Sequence, residues 1–135
     1  MNVSSIMSTP VVTVEMDDSL SQVKEIFENT NFHHLLVVEG RKLYGVISDR
    51  DLLKAISPNI GTAAESASDT ATLNKRVHQI MSRKPISIMH EENVSKAIEI
   101  FTSNKISCIP VVDESDVPIG ILSWRDILKA INIKT

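Results

Sequence analysis

The sequence predicts an α/β (α+β) fold built from two β-α-β-β-α repeats. Three observations lead there. First, the chain repeats itself: Ile6-Met7-Ser8 recurs as Ile80-Met81-Ser82, and Leu53-Lys54-Ala55-Ile56 recurs unchanged as Leu128-Lys129-Ala130-Ile131. Second, each copy alternates short apolar runs of strand length with segments of helical periodicity. Third, each copy carries Gly-φ-φ-Ser-x-Arg-Asp, where φ is apolar, at residues 45–51 and 120–126. The offset is 74 residues through the early matches, which include Val12-Thr13-Val14 with Ile86-Ser87-Ile88 and Glu25-Ile26-Phe27 with Glu99-Ile100-Phe101. It becomes 75 after one inserted residue. Self-similarity of this period marks a repeated supersecondary unit. A copy of about 55 to 60 residues is marginal alone, so the two are expected to pack together.

The elements follow in the same order in each copy. Residues 11–14 and 86–89 are rich in β-branched residues and read as short strands. Ser19 and Asn93 are N-cap candidates. Leu20, Val23 and Phe27 follow the first cap at helical spacing, as Val94, Ala97 and Phe101 follow the second. Leu35-Leu36-Val37-Val38 and Ile109-Pro110-Val111-Val112 are continuous apolar runs, the pattern of strands buried on both faces. Polar turns lead into further strands at residues 43–47 and 119–122. Ser48 and Ser123 then cap helices running to Ile56 and Ile131. Between the copies, residues 57–72 contain Pro58, Gly61 and an Ala/Ser/Thr-rich stretch, which reads as a surface linker. Residues 71–81 place Leu73, Val77 and Met81 on one helical face. The expected organisation is a first repeat at 1–58, a linker at 59–76 and a second repeat at 77–135.

Composition narrows the function classes. The chain has 135 residues, with 42% hydrophobic and 23% charged, which is ordinary globular usage. The net charge of -3 offers no basic field for nucleic acid. Aromatic residues are 4%, leaving few rings to stack on bases. Cys108 is the single cysteine, which excludes an intramolecular disulfide and a cysteine-based zinc cluster. Residues 1–10 lack the basic and apolar regions of a signal peptide. The aliphatic runs are too short to span a bilayer. The expectation is a soluble, reduced, cytoplasmic protein with neither nucleic acid nor membrane as partner.

The duplicated Ser-x-Arg-Asp carries the chemistry. It lies where a strand meets a helix start, and free backbone N–H groups there favour an anion. Ser48 or Ser123 supplies a hydroxyl. Asp51 or Asp126 can accept hydrogen bonds from vicinal ribose hydroxyls. Arg50 or Arg125 offers a forked donor to phosphate. Ser-x-x-Asp is equally a near-match to a capping box, so a purely local role for Ser48 with Asp51, and for Ser123 with Asp126, stands beside the ligand reading. Arginine is the discordant member, since a cation in the first turn opposes the helix dipole. A local rule broken twice at the same place points to function.

These motifs, in this order and repeated, resemble a tandem pair of cystathionine-β-synthase (CBS) domains, or Bateman module. The resemblance covers nearly the whole chain: Ile-Met-Ser, then Val-Thr-Val or Ile-Ser-Ile, then the Val-Val strand, then Gly-Val-Ile-Ser-Asp-Arg-Asp and Gly-Ile-Leu-Ser-Trp-Arg-Asp. It implies two repeats packed with pseudo-two-fold symmetry, leaving two clefts for adenosine-containing ligands such as AMP, ADP, ATP or S-adenosylmethionine. By position it assigns the ribose to Asp51 and Asp126, the adjacent hydroxyl to Ser48 and Ser123, and the phosphate side to Arg50 and Arg125. One expected set joins Ser8, Thr13, Phe32 and His33 to Ser123, Arg125 and Asp126. The other joins Ser82, Ser87, Ile106 and Ser107 to Ser48, Arg50 and Asp51. The family often has proline before the Val-Val strand; Pro110 matches and Leu36 departs. The resemblance also implies a homodimer. The expectation is a stand-alone, non-catalytic module with no required cofactor, read by an effector protein of unknown identity.

Other signals are weaker. His33 and His34 are adjacent on a strand and point to opposite faces, and His78 and His90 lack ligand spacing, so no metal site is expected. No activated nucleophile or acid–base pair stands out, so no enzyme is expected. Cys108 reads as a small core residue. Trp124 either covers a ligand or buries an interface between chains. The alternative function is a ligand-independent dimerisation and protein-interaction module.

Overall fold

The computed structural model describes residues 1–131. The expected end of the second repeat, at 135, lies outside them. The chain divides into two compact units, each with its own sheet and its own apolar core. One unit comprises Met1–Val11, Arg41–Leu43 and the chain from Pro85 onward; the other comprises Val12–Gly40 and Tyr44–Lys84.

The unit around Val12–Gly40 is a four-stranded sheet in the order β1 (Thr13–Glu15), β2 (His34–Glu39), β3 (Lys42–Ser48), β4 (Ser82–Arg83). β1 and β2 are parallel, with Thr13 opposite Leu36. Parallel neighbours need a crossover, and α1 (Leu20–Asn29) supplies it. Ser19 caps α1 in a capping box with Gln22, satisfying two helix-end donors at once. Leu35, Leu36, Val37 and Val38 are all buried, as an uninterrupted apolar run requires. α2 (Asp49–Ala55) leaves β3 directly. Then come α3 (Ala67–Ala71), a 3₁₀ turn at Thr72–Asn74 and α4 (Val77–Ile80).

The other unit repeats the plan: β5 (Ile88–Met89) parallel to β6 (Ile109–Val112), which is antiparallel to β7 (Pro118–Leu122). α5 (Val94–Ser103) is capped by Asn93, and α6 (Trp124–Ala130) follows β7. Phe101 is buried in this core, and Phe27 packs against the core of the other unit.

Each core is completed by the leader of the other sequence copy. Residues 1–8 belong with the body of the second copy: Val3 N–H donates to Glu92 O (2.8 Å), Ser4 N–H to His90 O (3.1 Å), and Val94 N–H to Met1 O (3.0 Å). Residues 75–82 do the same for the first body: Val77 N–H donates to Asp18 O (2.9 Å), His78 N–H to Met16 O (3.0 Å), and Leu20 N–H to Lys75 O (2.9 Å). Val3 and Val77 are both 0% exposed within these cores. Fully burying such a side chain contributes roughly 1.5–3 kcal/mol.

The same docking explains two motifs together. A Cβ on Gly45 would lie 2.7 Å from Met81 Sδ and 2.9 Å from Ser82 O. A Cβ on Gly120 would overlap the Met7 side chain. The methionine of Ile-Met-Ser therefore packs on the glycine that opens Gly-φ-φ-Ser, once in each unit.

Two local expectations are corrected and one is refined. The first strands are shorter and later than residues 11–14 and 86–89, because ladder pairing begins at Thr13 and Ile88. Residues 57–72 are mostly exposed, as a surface linker is, but they carry structure of their own. Ser57 Oγ donates to Asp69 Oδ1 (2.7 Å), Ser57 N–H donates to Thr72 Oγ1 (3.0 Å), and a Ser66–Asp69 capping box starts α3. Residues 71–81 are not one helix. Arg76 is extended and bridges Ser19, and that tertiary pairing breaks the helix despite its apolar face.

Candidate functional site

The two strand–helix junctions are built alike. Ser48 N–H donates to Asp51 Oδ2 (2.9 Å), and Asp51 N–H donates to Ser48 Oγ (3.0 Å). Ser123 N–H donates to Asp126 Oδ2 (2.9 Å), and Asp126 N–H donates to Ser123 Oγ (3.3 Å). The capping reading is thus realised at both places. It uses only one carboxylate oxygen of each aspartate, so it leaves the ligand reading open. Arg50 and Arg125 are exposed, and neither guanidinium forms an ion pair among the described residues.

The leader serines come close to these junctions and differ there. Ser8 N–H donates to Ile121 O (2.8 Å), and its Oγ donates to Asp126 Oδ1 (2.8 Å). Ser82 pairs with Val46, two residues before Ser48, yet its hydroxyl makes no bond to Asp51 among the described residues. Asp126 therefore has both oxygens engaged, while Asp51 Oδ1 accepts no hydrogen bond among the described residues.

The structure distributes the remaining candidates as follows. Thr13 is exposed at the start of β1, and Phe32 is exposed before β2. Ser87 is half-buried before β5. Ile106 packs against its unit's core, and Ser107 is exposed beside it. His33 lies at the start of α2: its Nδ1 is 2.8 Å from Asp49 Oδ2, and its carbonyl accepts the Asp49 N–H (3.0 Å). The hydrogen bond from His33 holds the Asp49 carboxyl below its ordinary range. His34, next along, is pushed below its ordinary value chiefly by burial.

Asp49 is a site neighbour that sequence reading passed over, because an acidic residue in a first turn needs no special explanation. The signal was a difference between copies. Trp124 stands where Asp49 stands, and Ser107 stands where His33 stands. The Trp124 ring meets Phe101 of its own unit at 4.9 Å between centroids. Cys108 is buried, which raises its thiol to about 12 and removes it as a nucleophile.

The CBS domain family matches residues 3–58 and 77–133. The chain is a pair of CBS domains. Among solved structures, the CBS domain pair of protein MJ0100, crystallised with 5′-methylthioadenosine and S-adenosyl-L-methionine, is 27% identical. It superposes with a TM-score of 0.78, covering 98% of this chain and all of that one. A CBS domain-containing protein from Bacillus anthracis shares the fold at 24% identity, with a TM-score of 0.82 over 100% of this chain and 95% of that one. Among curated proteins, inosine-5′-monophosphate dehydrogenase of Methanocaldococcus jannaschii is 29% identical over 88% of this chain and 21% of the enzyme. Homoserine O-acetyltransferase of Methanosalsum zhilinae is 29% identical over 96% of this chain and 24% of the enzyme. The CBS pair thus spans less than half the length of these curated relatives. No helix of the described residues is long and apolar enough to cross a membrane.

Proposed function

We propose that this CBS pair is a non-catalytic regulatory module that binds an adenosine-containing ligand. AMP, ADP, ATP and S-adenosylmethionine are the candidates. The observation that carries the reading is the duplicated junction. A carboxylate for vicinal ribose hydroxyls and a guanidinium with no ion pair among the described residues are neighbours in sequence in each unit. Asp51 and Asp126 take the ribose. Arg50 and Arg125 take the phosphate, or the carboxylate of S-adenosylmethionine. Ser48 and Ser123 hold the aspartates in place. The adenosyl ligands of the MJ0100 pair support the ligand class. The ligand biases the pair between states that a partner protein distinguishes, by no more than its differential affinity for them. Cys108 is free, which suits a reducing cytoplasm.

The proposal includes a homodimer. Leu53 on α2 and Leu128 on α6 are 72% and 65% exposed at matching positions of the two copies. We assign these two matching leucines to the contact with another chain, where they would be buried. The same leucines favour a second reading, a ligand-independent dimerisation module. Thermal melting separates the two. A ligand that binds the native state raises the melting temperature with concentration. A rise with at least one of the four candidates is expected. A melting temperature indifferent to all four favours the second reading.

A further inference from the structure

His90, Glu91 and Glu114 have no part in the proposed adenosyl site. His90 follows β5, and Glu114 lies in the turn between β6 and β7. His90 Nε2 is 3.2 Å from Glu114 Oε1 and 3.7 Å from Glu91 Oε1, and one ligating atom from each of the three lies within 4.8 Å of the others. Their backbones are fixed from outside the cluster. His90 N–H donates to Val112 O (3.2 Å), and its carbonyl accepts the Ser4 N–H (3.1 Å). Asp113 Oδ1 accepts the N–H of Ser115 (2.8 Å) and of Val117 (3.0 Å), which fixes the turn that presents Glu114. The imidazole is only 26% exposed, so it is held while the carboxylates at 72% and 69% remain free to adjust.

We propose that these three side chains bind one divalent first-row ion of the zinc class. Neutral imidazole nitrogen and carboxylate oxygen both ligate such an ion at about 2.0–2.2 Å. Four-coordinate geometry at those lengths sets neighbouring ligand atoms roughly 3.3–3.6 Å apart. The separations from His90 to Glu114 and Glu91, 3.2 and 3.7 Å, fall near that edge. Two carboxylates balance the ion's charge, and water completes the shell. Imidazole selects against magnesium, which prefers an all-oxygen shell. The first copy is an internal contrast: Met16 stands at the position of His90, so the imidazole ligand is missing there. The bound ion ties the end of β5 to the β6–β7 turn.

The test is calorimetric titration of the full chain with zinc chloride after chelator treatment. One ion per chain is expected. His90→Ala and Glu114→Gln should each weaken binding by at least about tenfold, a scale that even outer partners of a metal reach. His33→Ala and His78→Ala should leave it unchanged. Glu114 is exposed, so its variant is expected to keep the wild-type melting temperature without zinc, which guards against misfolding as the cause of any loss. Absence of zinc binding, binding that survives both His90→Ala and Glu114→Gln, or binding lost in His33→Ala or His78→Ala would overturn the assignment.

Discussion

The Ser8 hydroxyl donates to Asp126 Oδ1 at 2.8 Å, while Asp126 Oδ2 accepts the Ser123 N–H at 2.9 Å. Both oxygens of this carboxylate are therefore spent inside the protein. At Asp51, among the described residues, only Oδ2 is spent, on Ser48. A ribose hydroxyl reaching Asp126 competes with Ser8; one reaching Asp51 meets an oxygen with no competitor among the described residues. The two junctions are thus expected to fill in order, Asp51 first. Ser8→Ala should remove the competitor and tighten the weaker site by up to about tenfold, since a hydrogen bond to a charged group is worth about 1.5 kcal/mol. Two-site calorimetry reads this directly. Weaker binding at that site in Ser8→Ala would show that the hydroxyl contacts the ligand instead.

Gly120 and Gly45 are where the leaders press closest. Gly120→Ala must displace Met7, and Gly45→Ala must displace Met81 or the Ser82 carbonyl. Overpacking of this kind costs about 1–3 kcal/mol. Chemical denaturation should show that loss in each variant. In Gly120→Ala, proteolysis within residues 1–8 should accelerate as well. Unchanged stability in both would mean that the leaders adjust freely.

Acidification should destabilise the protein in two stages. Burial sets the folded pKa of His34 below its ordinary 6.5. A depressed folded value contributes stability above the unfolded pKa, and that contribution is lost as pH falls through the folded one. The first decline therefore begins below about pH 6.5. Asp49 also has a depressed value, held down chiefly by its hydrogen bond with His33, and its contribution is lost only further down, in the carboxylate range. Melting temperature against pH should show both declines, and His34→Gln should abolish the first. Persistence of the first decline in His34→Gln would assign it elsewhere.

The proposed dimer is tested at Leu53 and Leu128. Leu53→Glu with Leu128→Glu should convert the dimer to monomer in light scattering after gel filtration. Both side chains are mostly exposed, so the folded chain should keep its stability within about 0.5 kcal/mol at each surface site. A wild-type monomer, or a double variant that remains a dimer, would remove these helices from the interface.

Short-range chemistry made much of this protein readable from sequence. Ser19, Asn93, Ser48 and Ser123 cap their helices as expected, and Leu35–Val38 is buried throughout, because caps and apolar runs are decided within a few residues. What could not be read depends on distant pairing. Val3 completes a core through Glu92, and Val77 completes another through Asp18; nothing near Val3 or Val77 announces those partners. Arg76 is extended because it meets Ser19, against the apolar periodicity around it. Glu114 reaches His90 only through the β5–β6 pairing that sets Met89 opposite Val112. At the site, Ser-x-x-Asp could be read as a cap or as a ligand reader. The structure contains the cap, and the second carboxylate oxygen is what separates the two copies.

The most direct measurement is isothermal calorimetry of the full chain with AMP, ADP, ATP and S-adenosylmethionine, wild type beside an Asp51→Ala, Asp126→Ala double variant. At least one ligand should bind wild type. The double variant should lose that binding while keeping its fold by circular dichroism. No binding to wild type by any of the four, or equal binding in the double variant, would contradict a ribose-reading role for these aspartates.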